Sequence, residues 1–147
     1  MKFLRILFIF LVAAFVVLQF FGIEKTNPEF DQSGDFITME KPPMEVEKML
    51  KSTCYDCHSN ETIWPWYSNI APFSFLIEQH VIDGRDNLNL SLWNEFDKED
   101  QAYVIEEMIE EIEDGEMPLP GYDNLHPKAK LSAEQKEILF KWLRSLQ

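Results

Sequence analysis

The apolar positions of the chain change pattern several times, and each pattern predicts an element. Residues 6–23 form an apolar run broken only by Gln19. Eighteen helical residues span roughly 27 Å, close to the thickness of a bilayer core. The run therefore predicts an N-terminal transmembrane helix over residues 1–23. Residues 24–41 are polar and aperiodic, with Asn27-Pro28 and Ser33-Gly34, the composition of a tether. Phe30 and Phe36 are expected to touch the domain surface from it.

Helical periods return after Pro42-Pro43. Val46, Met49 and Leu50 recur at i, i+3, i+4 and lead into Cys54. A second helix is predicted over residues 73–83, with Phe73, Leu76, Ile77 and His80 on one face and Gly84 as its stop. Residues 85–93 alternate Leu88, Leu90 and Leu92, but the segment is too short and Asn-rich to require a strand. Asp97 is the N-cap of a long helix to Asp114, with Ile105, Met108, Ile109 and Ile112 on its apolar face and Gly115 as its C-cap. Ser132 and Gln135 form a capping box before a terminal helix whose stripe is Ile138, Leu139, Trp142, Leu143 and Leu146. The class expected is all-α.

Composition narrows the picture. The 147 residues, 46% of them hydrophobic, suffice for one compact domain, here residues 42–147. The net charge of −13 argues against a nucleic-acid partner. It suits a basic redox partner or plain solubility. Glu106, Glu107, Glu110, Glu111 and Glu113 fall on the outer face of the long helix, ordinarily a solvated face. No paired carboxylates in a defined constellation and no nucleophile–base set point to enzymatic activity.

The one stretch with specific chemistry is Cys54-Tyr55-Asp56-Cys57-His58, a C-x-x-C-H sequence that contains both cysteines of the chain. At this spacing the two thiols can each form a thioether to a porphyrin vinyl group, and the adjacent imidazole becomes the proximal iron ligand. One motif anchors one haem c. The same residues are half of a Cys2His2 zinc site, and His58, His80 and His126 make the count arithmetically sufficient, although a second H-x3-5-H pair is absent. A thioredoxin-like pair lacks its βαβ pattern, and a disulfide across two residues is strained.

Other positions complete the expected site. Trp64, Trp66 and Tyr67, punctuated by Pro65, could wall a flat apolar macrocycle. Met117, in the loop Gly115-Glu116-Met117-Pro118, is placed to offer a thioether as the distal ligand. His80 shares an apolar helix face and is an alternative ligand, though a lone histidine there is more often a core residue.

Lys2 and Arg5 ahead of the apolar run have the form of an export signal, and the run lacks a good cleavage site. The expectation is an uncleaved anchor in a bacterial inner membrane with the domain on the periplasmic side, or a secreted or periplasmic protein if the run is cleaved. Thioether attachment of haem also takes place outside the bacterial cytoplasm.

Taken together, the order of helix, C-x-x-C-H, further helices, Met-Pro loop and closing amphipathic helix resembles the small c-type cytochrome fold. Cys54 to Thr62, Trp64-Pro65-Trp66-Tyr67, Ile70-Ala71-Pro72, His80 with Gly84-Arg85, Leu88-Asn89 with Ser91 and Trp93, Gly115 to Pro118, and His126-Pro127 before Leu131-Ser132 resemble the bacterial haem-binding domain family over about residues 42–147. The resemblance implies a membrane-tethered monohaem c-type domain, with Cys54 and Cys57 as thioether residues, His58 proximal and Met117 at the Met-Pro ligand position. It also puts His80 and His126 at family positions, as alternative distal ligands. One-electron transfer is the function expected. The alternatives are a haem sensor or peroxidase-like ligand-binding module, and a zinc-binding structural module.

Overall fold

A computed structural model describes the whole of Met1–Gln147. The chain is helical with no strand. Its helices are α1 (Lys2–Leu18), α2 (Phe36–Glu40), α3 (Met44–Thr53), α4 (Tyr55–His58), α5 (Phe73–Asn87), α6 (Lys98–Asp114), α7 (Tyr122–Leu125) and α8 (Ala133–Arg144).

The core forms where α3, α6 and α8 meet. Val46, Met49 and Leu50 of α3, Ile105, Ile109 and Ile112 of α6, and Leu139, Phe140 and Leu143 of α8 are all buried in one cluster. Met108, Ile138, Trp142 and Leu146 pack around it. The caps set the helix starts. Asp97 accepts from the N–H groups of Glu99 and Asp100 at 2.9 and 3.0 Å, and Ser132 and Gln135 close the capping box at 2.9 and 3.2 Å. Gly115 ends α6 at φ +80°, where an L side chain would be strained.

Three expectations are corrected. No helix is long and apolar enough to cross a membrane, so the transmembrane helix is absent. The apolar run does not form one continuous helix: α1 has 17 residues, about 26 Å, and stops at Leu18. There the Gln19 amide leaves the helix axis, donating to Ala71 O at 3.0 Å and accepting from Ala71 N–H at 3.1 Å. Phe20 to Ile23 follow outside any helix.

Residues 24–41, expected as a tether, are knitted into the domain. Asn27 donates to Thr62 O at 3.0 Å, and Asp35 caps α2. Phe36 is fully buried, edge-on to Trp93 at 4.6 Å and to Trp142 at 5.5 Å.

The third correction concerns α5, which continues through Gly84 to Asn87. Its buried residues are Ser74, Val81 and Gly84, whereas Phe73 and Leu76 are more than half exposed. The buried stripe is therefore made of smaller residues and is rotated from the expected face. Segment 85–93 is completed by a 3-10 turn, Leu90–Glu95, which buries Leu90 and Trp93 completely.

Candidate functional site

Helix α3 delivers the motif. Cys54 N–H still donates to Leu50 O at 2.9 Å, and His58 N–H to Cys54 O at 2.9 Å, so Cys54, Cys57 and His58 lie at i, i+3, i+4 around one helical turn. That spacing puts two sulfurs and an imidazole on the same side. Tyr55 faces the other way into the core, 3% exposed, and its hydroxyl donates to the Asp35 carboxylate at 3.1 Å. The first variable residue of the motif is thus its anchor.

Helix α5 backs the motif at very close range. A Cβ on Gly84 would stand 2.7 Å from the Cys57 carbonyl oxygen and 3.0 Å from its carbon, so only glycine fits. Gly84→Ala is expected to destabilise the domain by about 1–3 kcal/mol through overpacking. It should also lower haem content, measured by urea denaturation and by absorbance of the purified protein. A variant matching the parent in both would mean that this approach is loose.

His58 is held by its ring. Its Nδ1 lies 3.0 Å from Leu88 O, and because a carbonyl only accepts, Nδ1 must carry the proton. The Nε2 lone pair is then the one left for a metal. Burial pushes the imidazole below its usual range, partly offset by the Leu88 and Gly84 carbonyls. Both cysteines are free. Burial raises the Cys54 thiol to about 12 and, with the Asp56 charge, the Cys57 thiol to about 11.

The residues after the motif lock its exit. Arg85 donates from Nε to Ser59 O at 2.8 Å and from Nη2 to Thr62 Oγ1 and Asn27 Oδ1 at 2.9 Å. Asn60 N–H donates to Ser91 Oγ at 3.0 Å, and Asn89 Nδ2 to Asn60 Oδ1 at 2.9 Å.

The expected distal residues take different places. Met117 is half-buried against the same core cluster on which Cys54 packs. His80 is half-buried on α5, one turn before Gly84. His126 Nε2 is bound to the Tyr67 hydroxyl at 2.5 Å, and its ring stacks on Tyr122 at 4.0 Å with 7° between planes. Of the three aromatics expected as walls, Tyr67 is buried, Trp66 is 73% exposed and edge-on to Tyr67 at 5.7 Å, and Trp64 is half-buried.

Asp56, Gly84, Leu88 and Tyr122 were not singled out by sequence reasoning as parts of the site. Asp56 holds the following chain through Ile63 N–H at 3.1 Å and receives the Tyr122 hydroxyl at 3.3 Å. Burial, and then the Asp56 charge, keeps the Tyr122 phenol protonated above its usual range. Asp56 lies inside the motif and Gly84 precedes Arg85, so both had a sequence signal. Leu88 falls in the family pattern, but its contact is through the backbone carbonyl, which the side chain does not reveal.

These residues fit a haem. The indole N–H of Trp64 is shielded from water and has no acceptor, an unusual state for a buried donor that a propionate could relieve. A zinc site is not formed: no three His, Cys, Asp or Glu side chains are grouped so that they could hold a metal ion. Two surface clefts of about 390 and 410 Å³ include none of Cys54, Cys57 and His58. A family model described as a haem-binding domain matches residues 13–145. No curated protein and no solved structure matches.

Proposed function

The chain belongs to the haem-binding domain family, and from that premise we propose that it holds one haem covalently, as haem c, and serves one-electron transfer. The observation that carries this reading is the turn on which Cys54, Cys57 and His58 share a side, with the proton of His58 fixed on Nδ1 by Leu88 O. When bound, the group supplies an iron that gains and loses one electron.

The chain's own residues do the rest. Cys54 and Cys57 would hold the group through thioethers, each formed by adding S–H across a vinyl double bond, sulfur to one carbon and hydrogen to the other, which needs no oxidant. His58 would hold its iron through Nε2. Met117, which packs against the same core cluster as Cys54, would offer its sulfur to the iron, and a thioether ligand favours the reduced state relative to a second imidazole. With His58 and Met117 both holding the iron, exogenous ligands would be kept off. The exposed glutamates of α6 and the net charge of −13 suit a basic redox partner whose association weakens with salt. Attachment to C-x-x-C-H fits a domain working outside the cytoplasm, which cell fractionation checks.

Met117→Ala is expected to change the oxidised and reduced spectra and to let the reduced protein bind carbon monoxide. Unchanged spectra would remove Met117 from the iron. Ready carbon monoxide binding by the unaltered protein would favour the sensor or peroxidase-like alternative over a carrier.

A further inference from the structure

The loop 115–126 carries Met117 between two glycines with left-handed backbone, Gly115 at φ +80° and Gly121 at φ +86°. At its start the loop is tied to the end of α6, where Glu116 N–H and Met117 N–H both donate to Glu111 O at 3.0 Å. Its own bonds, Tyr122 N–H to Leu119 O at 2.9 Å and His126 N–H to Tyr122 O at 3.0 Å, shape it without attaching it to the site. Attachment comes from two side-chain contacts. The Tyr122 hydroxyl donates to Asp56 Oδ2 at 3.3 Å, inside the C-x-x-C-H motif, and His126 Nε2 meets the Tyr67 hydroxyl at 2.5 Å on the 3-10 turn Trp66–Asn69. The parallel stack of Tyr122 on His126 at 4.0 Å joins the two contacts into one unit.

We propose that Tyr122 with Asp56, and Tyr67 with His126, form a latch that closes the Met117 loop over the haem site. The two tyrosines are positioning residues that keep exogenous ligands from displacing the Met117 sulfur. The inference rests on the reading of Met117 as the distal ligand. It assigns His126 to the latch and not to the iron, since Nε2 is already bound to Tyr67.

The test uses full-length haem-loaded protein and imidazole as the probe. Tyr122→Phe and Tyr67→Phe each remove one hydroxyl and keep the ring packing. Each is expected to bind imidazole in the oxidised state about tenfold more tightly than the parent, the effect of one hydrogen bond lost from the closed state. The near-infrared absorption of the thioether–ferric bond should weaken in parallel. Tyr103→Phe, on an exposed tyrosine of α6, is expected to behave as the parent. A parent that resists imidazole together with tyrosine variants that resist it equally, whatever their denaturation midpoints, overturns the latch and leaves Met117 in place. A parent that lacks the thioether absorption and takes up imidazole freely overturns the Met117 reading and the latch with it.

Discussion

The His58→Ala protein is expected to lose its six-coordinate low-spin spectrum almost entirely while keeping haem on the thioethers. His58 is the one imidazole whose free nitrogen is settled by a partner that can only accept, Leu88 O at 3.0 Å. On the proposed reading, removing the ring would remove the proximal ligand, and His126, engaged with Tyr67, would not replace it. Added imidazole should restore the low-spin absorption. A His58→Ala protein with the parent spectrum would mean that another residue binds the iron.

The second large effect lies in the core. Trp93 is completely buried, edge-on to Phe36 at 4.6 Å, and its indole donates to Glu40 Oε1 at 2.9 Å. Trp93→Ala is expected to cost about 3–5 kcal/mol, a large share of the roughly 5–15 kcal/mol that a domain has in total. Trp93→Phe should cost less, since it keeps most of the aromatic packing and mainly loses the bond to Glu40, about 1–2 kcal/mol. Urea denaturation measures both. A Trp93→Ala midpoint close to the parent's would place the centre of the core elsewhere.

What could be read from the sequence was local. The Asp97 cap, the Ser132–Gln135 box and the stripes of α6 and α8 depend on residues within one or two turns, and the structure forms them as expected. The placement of the C-x-x-C-H residues is equally local, because one helical turn sets Cys54, Cys57 and His58 at i, i+3 and i+4.

Three failures came from contacts distant in sequence. The face of α5 was read from its large apolar residues. The buried stripe instead holds Ser74, Val81 and Gly84, since the neighbour there is the backbone of Cys57 and only small side chains admit it. Gly84, a stop by residue type alone, is for the same reason an interior contact. The N-terminal run was counted as one helix, and the bonds from Gln19 to Ala71, 52 residues away, are invisible to hydropathy. Residues 24–41 look like a tether because they are polar and aperiodic, and the partners that bury Phe36, Trp93 and Trp142, lie far along the sequence from it. The family match begins at residue 13 and so takes in this stretch as well.

The central claim is that Cys54 and Cys57 bind haem covalently, and the intact mass of the denatured protein tests it most directly. Protein made in a host with export and haem-attachment machinery is expected to be heavier than its polypeptide by one haem, to stain for haem after denaturation, and to lose both properties in Cys54→Ser/Cys57→Ser. A polypeptide of unmodified mass from the same host, with haem released on denaturation or never present, would contradict the account.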